Sequence, residues 1–220
     1  RIIDLVQRIR SRFDNPSITT DLMVGFPGET QEEFEQSLDF AREIGFAKVH
    51  VFAYSIRPGT RAAKMPDQLT RQQKEQRSHQ MAQVTEESRK RFLQSQVGMV
   101  ESVLFETEKL DGMQHGYTKN YTPVCVQSDR ELCGSIHSVR ITGAKDDYCI
   151  GQLLTEQEQA VYRRGRNGGA HPPKNADPGH YAKATGLEAL FGYLYLNGAQ
   201  ERARELFEAI TANKENAKQN

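Results

Sequence analysis

The sequence predicts an α/β segment, then an all-β barrel, then an α-helical tail, and three observations carry that order. Two apolar runs, "SITTDLMVGF" and "AKVHVFAYS", flank one amphipathic helical pattern and make a β–α–β unit. From Val97 to Leu153, short segments rich in β-formers recur between turn signals at the spacing of a small barrel. From Thr155 the helical period returns. A chain of 220 residues has room for one large domain or two small ones.

Each element has a local reason. Ile2, Leu5, Val6, Ile9 and Phe13 recur at helical spacing, and the pattern starts at Arg1 without Met, as expected of a chain cut inside a helix. Residues 17–26 form an apolar run bounded by turn residues, which predicts a buried parallel strand. Thr30 with Glu33 reads as a capping box, Phe34, Leu38, Ala41 and Ile44 line one helical face, and Gly45 supplies the stop. Residues 47–55 are the next strand, "IRPGTRAAKMPDQ" is a loop, and 70–96 form a polar helix suited to the surface or to bridging. The barrel segments are "VGMVESVLFETE", "QHGYTKNYTPVCVQ", "SIHSVRITGA" and "DYCIGQL", with turns at Asp111–Gly112 and Ser128–Asp129. A polar helix then runs into "RGRNGGAHPPKNADPG", and "YAKATGLEALFGYLYLNG" precedes a last helix over 199–212. The stretch "DDYCIGQLLTEQEQAVYRRGRN" changes character at 153–154 with no flexible tether, so it reads as a seam and not as a linker.

Composition narrows the function classes. Lys+Arg and Asp+Glu both number 29, so a nucleic-acid surface has to be a local patch. No run of 18 apolar residues and no charged-then-apolar leader occurs, which predicts a soluble, cytoplasmic chain with no membrane partner. Cys125, Cys133 and Cys149 form neither CxxC nor CxxxCxxC, so no zinc ribbon or iron–sulfur site is expected, and all three are expected as buried strand thiols.

Three places could carry chemistry. "DLMVGFPGET" sets Gly25 and Gly28 at the carboxyl end of a parallel strand, where ligands of α/β sheets sit, although an ordinary strand-to-helix turn has the same residues. GxxxxGK[ST] and GxGxxG are both absent, so this is no phosphate loop. Tyr121 could stack a base or fill the barrel core. In the tail, Leu187, Leu190, Phe191 and Leu194 form an apolar stripe with Glu188 at its edge. An acid there needs a metal or a cation if buried, and is a solvated helix residue otherwise. Arg163, Arg164, Arg166 and Lys174 make a basic loop fit for phosphates or a solvated turn.

"TTDLMVGFPGETQEEFEQSLDF" followed by "HVFAYSIRPGTRAAKMPDQ" resembles the later strands of the radical S-adenosylmethionine tRNA methylthiotransferases. "GYTKNYTPVCVQ" is similar to the TRAM domain of those enzymes, and "VRITGAKDDYCIGQL" resembles the branch that methylthiolates threonylcarbamoyl-adenosine next to the anticodon. The resemblance covers residues 1–153. It implies the C-terminal part of a radical-SAM half-barrel over 1–66, a bridging helix over 67–96 and a TRAM β-barrel over 97–153. S-adenosylmethionine and a [4Fe-4S] cluster are the family's cofactors. Gly25, Phe26, Pro27, Tyr54, Ser55 and Arg57 would lie near the first, and Lys119, Tyr121 and Arg140 would contact tRNA. The family's CxxxCxxC loop and N-terminal domain have no counterpart here, so radical chemistry is not expected. Residues 97–153 hold five basic and eight acidic side chains, which excludes a generic polyanion binder.

"LTEQEQAVYRRGRN" and "PPKNADPGHYAKATGLEALFGYLYLNG" resemble the second half of mini-ribonuclease III, a small dimeric enzyme that cleaves double-stranded RNA. That resemblance covers about 154–212 and implies a partial RNase III helical domain over 154–220. It makes Glu188 catalytic and a ligand of Mg²⁺, Arg163, Arg164, Arg166 and Lys174 RNA contacts, and double-stranded RNA or rRNA the partner. The family's first acidic helix is absent, so the tail is expected to lack both a complete metal site and the helices it would pack on. The competing expectations are therefore an inactive methylthiotransferase segment, a nuclease module, a non-catalytic RNA-binding fusion, and a misjoined reading frame.

Overall fold

The computed structural model describes residues 1–168, 172–174 and 176–207. Residues 169–171 and 175 of the Gly/Pro-rich stretch, and 208–212 of the last predicted helix, lie outside them. The chain divides into two compact units, Arg1–Phe92 and Leu93–Asn220.

The first unit runs α1 (Ile2–Arg12), β1 (Thr19–Val24), α2 (Gln31–Ile44), β2 (Lys48–Ala53), a 3-10 turn at Ala62–Lys64 and most of α3 (Arg71–Ser95). β1 and β2 pair in parallel, from Thr19 opposite Lys48 to Val24 opposite Ala53. The predicted capping box is present: Glu33 N–H donates to Thr30 Oγ1 at 3.1 Å, and Thr30 N–H donates to Glu33 Oε2 at 2.9 Å. Gly45 closes α2 at φ 60°, a left-handed conformation that only glycine adopts without strain. Phe34, Leu38 and Ala41 of α2 pack with Val24 against Met81 and Val84, two of the few apolar positions of α3. Val6, Ile44 and Phe46 form a second cluster.

Two expectations change here. β1 is half-buried: Leu22 and Val24 face the helices, while Met23 and its strand partner Phe52 are 57% and 52% exposed. Helices cover one face of a sheet that has only two strands. On α1 only Val6 is buried, and Ile2, Leu5 and Phe13 face solvent, because a single line of contact through Ile3 and Val6 joins it to the core.

The second unit holds β3 (Val100–Leu110), β4 (Met113–Thr118), β5 (Pro123–Val126), β6 (Ile136–Ala144) and β7 (Cys149–Leu153), closed in the order β3-β4-β5-β7-β6. β5 and β7 pair in parallel and the other pairs are antiparallel. The β3–β4 hairpin turns through Asp111 at φ 51° and Gly112 at φ 76°, two consecutive positive values that match the strand twist. Val103, Phe105, Val124, Cys125, Val139, Ile141 and Cys149 are fully buried or nearly so. Closing the sheet removes its edges.

Thr155 caps the next helix through a second capping box, with Glu158. α4 (Glu156–Asn167) and α5 (Pro178–Leu196) follow, then α6 over 200–207. The first two meet at glycines: a Cβ on Gly186 would sit 2.8 Å from the Tyr162 ring, and one on Gly165 would sit 2.5 Å from Ala189 Cβ. Backbone approach at that distance excludes any side chain there.

The tail also has a partner, against expectation. Tyr162, Leu190, Leu194 and Leu206 pack with Leu154 and with Val100 of β3, so the barrel wall supplies the surface the helices need. Arg202 Nε donates to Glu158 Oε1 at 2.9 Å, and Nη2 donates to Glu158 Oε2 at 3.2 Å and to the Leu153 carbonyl at 2.9 Å. The stretch at 153–154, expected as a seam, is thus bridged by two ion pairs, Arg202–Glu158 and Lys183–Glu101, and by one apolar cluster.

Candidate functional site

The turn after β1 comes first. Gly25 and Gly28 adopt φ 72° and 82°, so the backbone doubles back at the strand end. Gly25 N–H donates to Glu29 Oε2 at 2.8 Å, and Arg77 of α3 donates to the same carboxylate oxygen and to the Glu29 carbonyl. Both side chains of that ion pair are largely buried. Lys74 of α3 lies against the turn as well: a Cβ on Gly25 would meet Lys74 Cγ at 2.7 Å, and Lys74 Nζ sits 5.1 Å from the Tyr54 ring centroid. Phe26 meets Tyr54 edge-to-face at 5.3 Å, and Tyr54 N–H donates to the Val24 carbonyl.

The six candidate cofactor residues therefore gather around one strand end but divide between two concavities. Phe26 and Pro27 line one of about 550 Å³ with Glu33 and Phe40. Tyr54, Ser55 and Arg57 line another of about 400 Å³ with Met23 and Phe52. Gly25, Pro27 and Tyr54 are buried, while Phe26, Ser55 and Arg57 are exposed. The Tyr54 hydroxyl is buried without a hydrogen-bond partner among the described residues. Sequence reading missed Glu29, Lys74 and Arg77. "PGET" could have signalled Glu29, whereas the two cations are indistinguishable from a solvated helix face until α3 is placed.

The β4–β5 hairpin is the second place. Tyr121 is 81% exposed at φ 59°, so it is not barrel core. Its backbone N–H donates to the Thr118 carbonyl at 2.9 Å, and Asn120 Oδ1 accepts from the Thr122 hydroxyl at 2.8 Å. This net holds the tight loop and presents the ring. Tyr117 lies 6.4 Å from Tyr121 and 4.9 Å from His115, which extends the aromatic surface along β4. Lys119 is exposed beside it.

Arg140 is elsewhere. It is 1% exposed beneath α5, its guanidinium 5.5 Å from the Phe191 ring centroid, so it does not share the Tyr121 surface. Burial pushes its pKa down to about 10, opposed only in part by Tyr162. The tail residues also differ from expectation. Arg163, Arg164 and Arg166 lie in the helical body of α4 and not in a loop, exposed near a terminus whose carbonyls favour cations. Lys174 is exposed in the following turn, and Glu188 is exposed on α5. Among the described residues, no group of three metal-ligating side chains includes Glu188. Of the thiols, Cys125 and Cys149 are buried in strands, whereas Cys133 sits exposed in a turn, 3.3 Å from Thr107 Oγ1. Burial chiefly pushes the Cys125 thiol up to about 11, with Asp111 adding to the rise and Lys145 opposing it.

A glycine turn beside a concavity of about 400 Å³, and a closed barrel carrying an exposed aromatic hairpin, define a mixed α/β class of protein. The chain belongs to the ribonuclease III domain family, whose model matches residues 61–199. That span takes in α3 and the whole barrel as well as α4 and α5, and so is wider than the tail alone. The chain is also 37% identical over 159 residues to the tRNA-2-methylthio-N(6)-dimethylallyladenosine synthase of Pelotomaculum thermopropionicum, 71% of this chain and 36% of that protein. It is 33% identical over 163 residues to the threonylcarbamoyladenosine tRNA methylthiotransferase MtaB of Bacillus subtilis, 72% of this chain and 36% of that one. The dimethylallyladenosine synthase of Mycobacteroides abscessus matches at 33% over 181 residues, 78% of this chain and 35% of the relative. The chain spans about a third of the length of these curated relatives. Both branches of the methylthiotransferases are thus represented. No helix among the described residues is long and apolar enough to cross a membrane.

Proposed function

We propose that this chain is the RNA-binding and S-adenosylmethionine-contacting part of a cytoplasmic tRNA methylthiotransferase, of the lineage that modifies threonylcarbamoyl-adenosine beside the anticodon. In this reading 1–66 derive from the radical-SAM half-barrel, 67–96 bridge, 97–153 are the TRAM barrel and 154–220 are the ribonuclease III-type part. The observation that carries it is Tyr121. An 81% exposed aromatic in a left-handed conformation costs stability, and strain of that kind is retained where a side chain has to be displayed. A nucleobase stacks on such a ring, and Lys119 meets the adjoining phosphate.

S-adenosylmethionine suits the residues present. The concavity at Tyr54 has the volume of a small-molecule site, the orphaned Tyr54 hydroxyl offers a hydrogen bond, and the Phe52 and Tyr54 rings on its lining suit a sulfonium cation. Gly25 and Pro27 shape the turn, while Ser55 and Arg57 are free to hold the polar end. A [4Fe-4S] cluster does not suit them, since two of the three thiols are buried in barrel strands and the third is in a turn. These residues alone therefore bind and orient without supplying the radical. The test is titration of the chain with an anticodon stem–loop RNA and, separately, with S-adenosylmethionine. Tyr121→Ala should weaken only the first and Tyr54→Phe only the second. Wild-type affinity in Tyr121→Ala refutes the RNA face.

The ribonuclease III match favours a second reading, in which the tail cleaves double-stranded RNA such as rRNA precursors with Mg²⁺ on Glu188 and dimerises to do so. Arg163, Arg164, Arg166 and Lys174 would hold phosphates. One exposed carboxylate does not assemble a metal site, so the expected result is no Mg²⁺-dependent cleavage. Cleavage lost on Glu188→Ala would establish this reading.

A further inference from the structure

Three basic side chains are engaged where the tail helices lie on the barrel, and two of them have carboxylate partners. Lys183 Nζ is 2.9 Å from Glu101 Oε1, and Arg202 holds Glu158. Arg140 differs. Among the described residues no carboxylate reaches it, and its Nε and Nη1 are buried without hydrogen-bond partners. The Tyr162 hydroxyl is orphaned too, as is Oε1 of Gln152, the residue opposite Arg140 on β7. Burial lowers its pKa only to about 10, so the group remains a cation at neutral pH. The Phe191 ring returns only part of what a guanidinium loses on leaving water. Opposite Arg140 on β3 stands Val100, which packs in the same apolar cluster as Leu190 and Leu194, so α5 is what covers this strand.

A permanent core has no use for a stranded cation, whereas a surface that is sometimes uncovered does. We propose that the α4–α5 layer is a displaceable cover over β6, and that Arg140 binds an RNA phosphate when α5 lifts. This rests on the reading of the barrel as an RNA binder and adds a resting, closed state to it. In the closed state Arg140 Nε and Nη1, the Tyr162 hydroxyl and Gln152 Oε1 lack hydrogen-bond partners among the described residues; in the open state water and phosphate supply them. The affinity observed is the open-state affinity reduced by the open fraction.

The test uses the full chain and an anticodon stem–loop RNA. Hydrogen exchange across 178–196 should speed up on RNA addition, because binding favours the lifted helix. Phe191→Ala should tighten RNA binding by about tenfold by raising the open fraction. Arg140→Met should raise Tm, because an apolar side chain of similar length suits the closed state, and should lower the salt slope of RNA binding by about one. RNA binding that Tyr121→Ala abolishes, with exchange over 178–196 unchanged and Arg140→Met binding like wild type, overturns the cover and leaves the RNA reading intact. A lowered Tm for Arg140→Met overturns the cover as well, since Arg140 is then a structural residue. No RNA binding by wild type or Phe191→Ala overturns both.

Discussion

Replacing Arg202 with Ala tests whether the tail and barrel are one cooperative unit. The Glu158 side chain is 4% exposed and Arg202 28% exposed. The substitution removes two hydrogen bonds to the carboxylate and one to the Leu153 carbonyl, leaving Glu158 with the backbone and side-chain bonds of its own capping box. Breaking a fully buried pair costs about 3–5 kcal/mol, and the partial exposure of Arg202 brings the expectation to about 2–3 kcal/mol. For a unit of this size that lowers Tm by about 8–10 °C, measured by calorimetry at neutral pH. The pH dependence carries a sign. Burial disfavours the charged form of Glu158, but the hydrogen bonds from Arg202 and Thr155 outweigh it and hold the pKa below 4.5. A depressed carboxylate contributes stability above its unfolded pKa and loses it as pH falls through the folded one. The gap between wild type and variant should therefore narrow below about pH 4. A Tm change under about 2 °C, or a gap indifferent to acid, would refute the idea that this pair ties the tail helices to the barrel.

Gly186→Ala should lower stability by about 1–3 kcal/mol through its clash with Tyr162, while Gly192→Ala on the same helix, with nothing within 4 Å, should be neutral or stabilising by about 0.5–1 kcal/mol in chemical denaturation. Tyr121→Gly should leave Tm unchanged or higher, since glycine accepts φ 59° freely, and should weaken RNA binding by about 1–3 kcal/mol in anisotropy titrations. In the native chain one thiol, Cys133, should react with a maleimide, and Cys125 and Cys149 should react only on unfolding; three rapid modifications would contradict the barrel's burial pattern.

What the sequence disclosed and what it hid follow from the range of the forces involved. The capping box at Thr30, the Gly45 stop and the Asp111–Gly112 turn are local events, each readable in a few residues. Strand positions in the barrel were legible because alternation and turn chemistry are short-ranged too, although the break at 119–122 inside "GYTKNYTPVCVQ" was not. Burial across elements was hidden. Arg140 looks like any strand cation until α5 is laid over it, and Tyr121 reads equally as core or as a stacking ring until a positive φ turns it outward. The arginines of α4 read as a loop because Gly165 looks like a breaker, when its role is to let α5 approach. Arg77 and Glu29 are separated by 48 residues, so no local pattern could pair them.

The order of strands in the barrel also dictates when it can form. β7, the last strand to be synthesised, lies between β5 and β6, so neither edge is satisfied until Leu153 has emerged. During synthesis the chain therefore presents two open edges while waiting for five residues, the circumstance in which nascent strands pair with the wrong neighbour. A frame interrupted before Cys149 would not yield a smaller barrel but an open sheet. The helix that begins at Glu156 arrives immediately after the closing strand, and Arg202 later bonds back to that strand's final carbonyl. A later-made part of the chain thus secures the step on which the earlier strands depend.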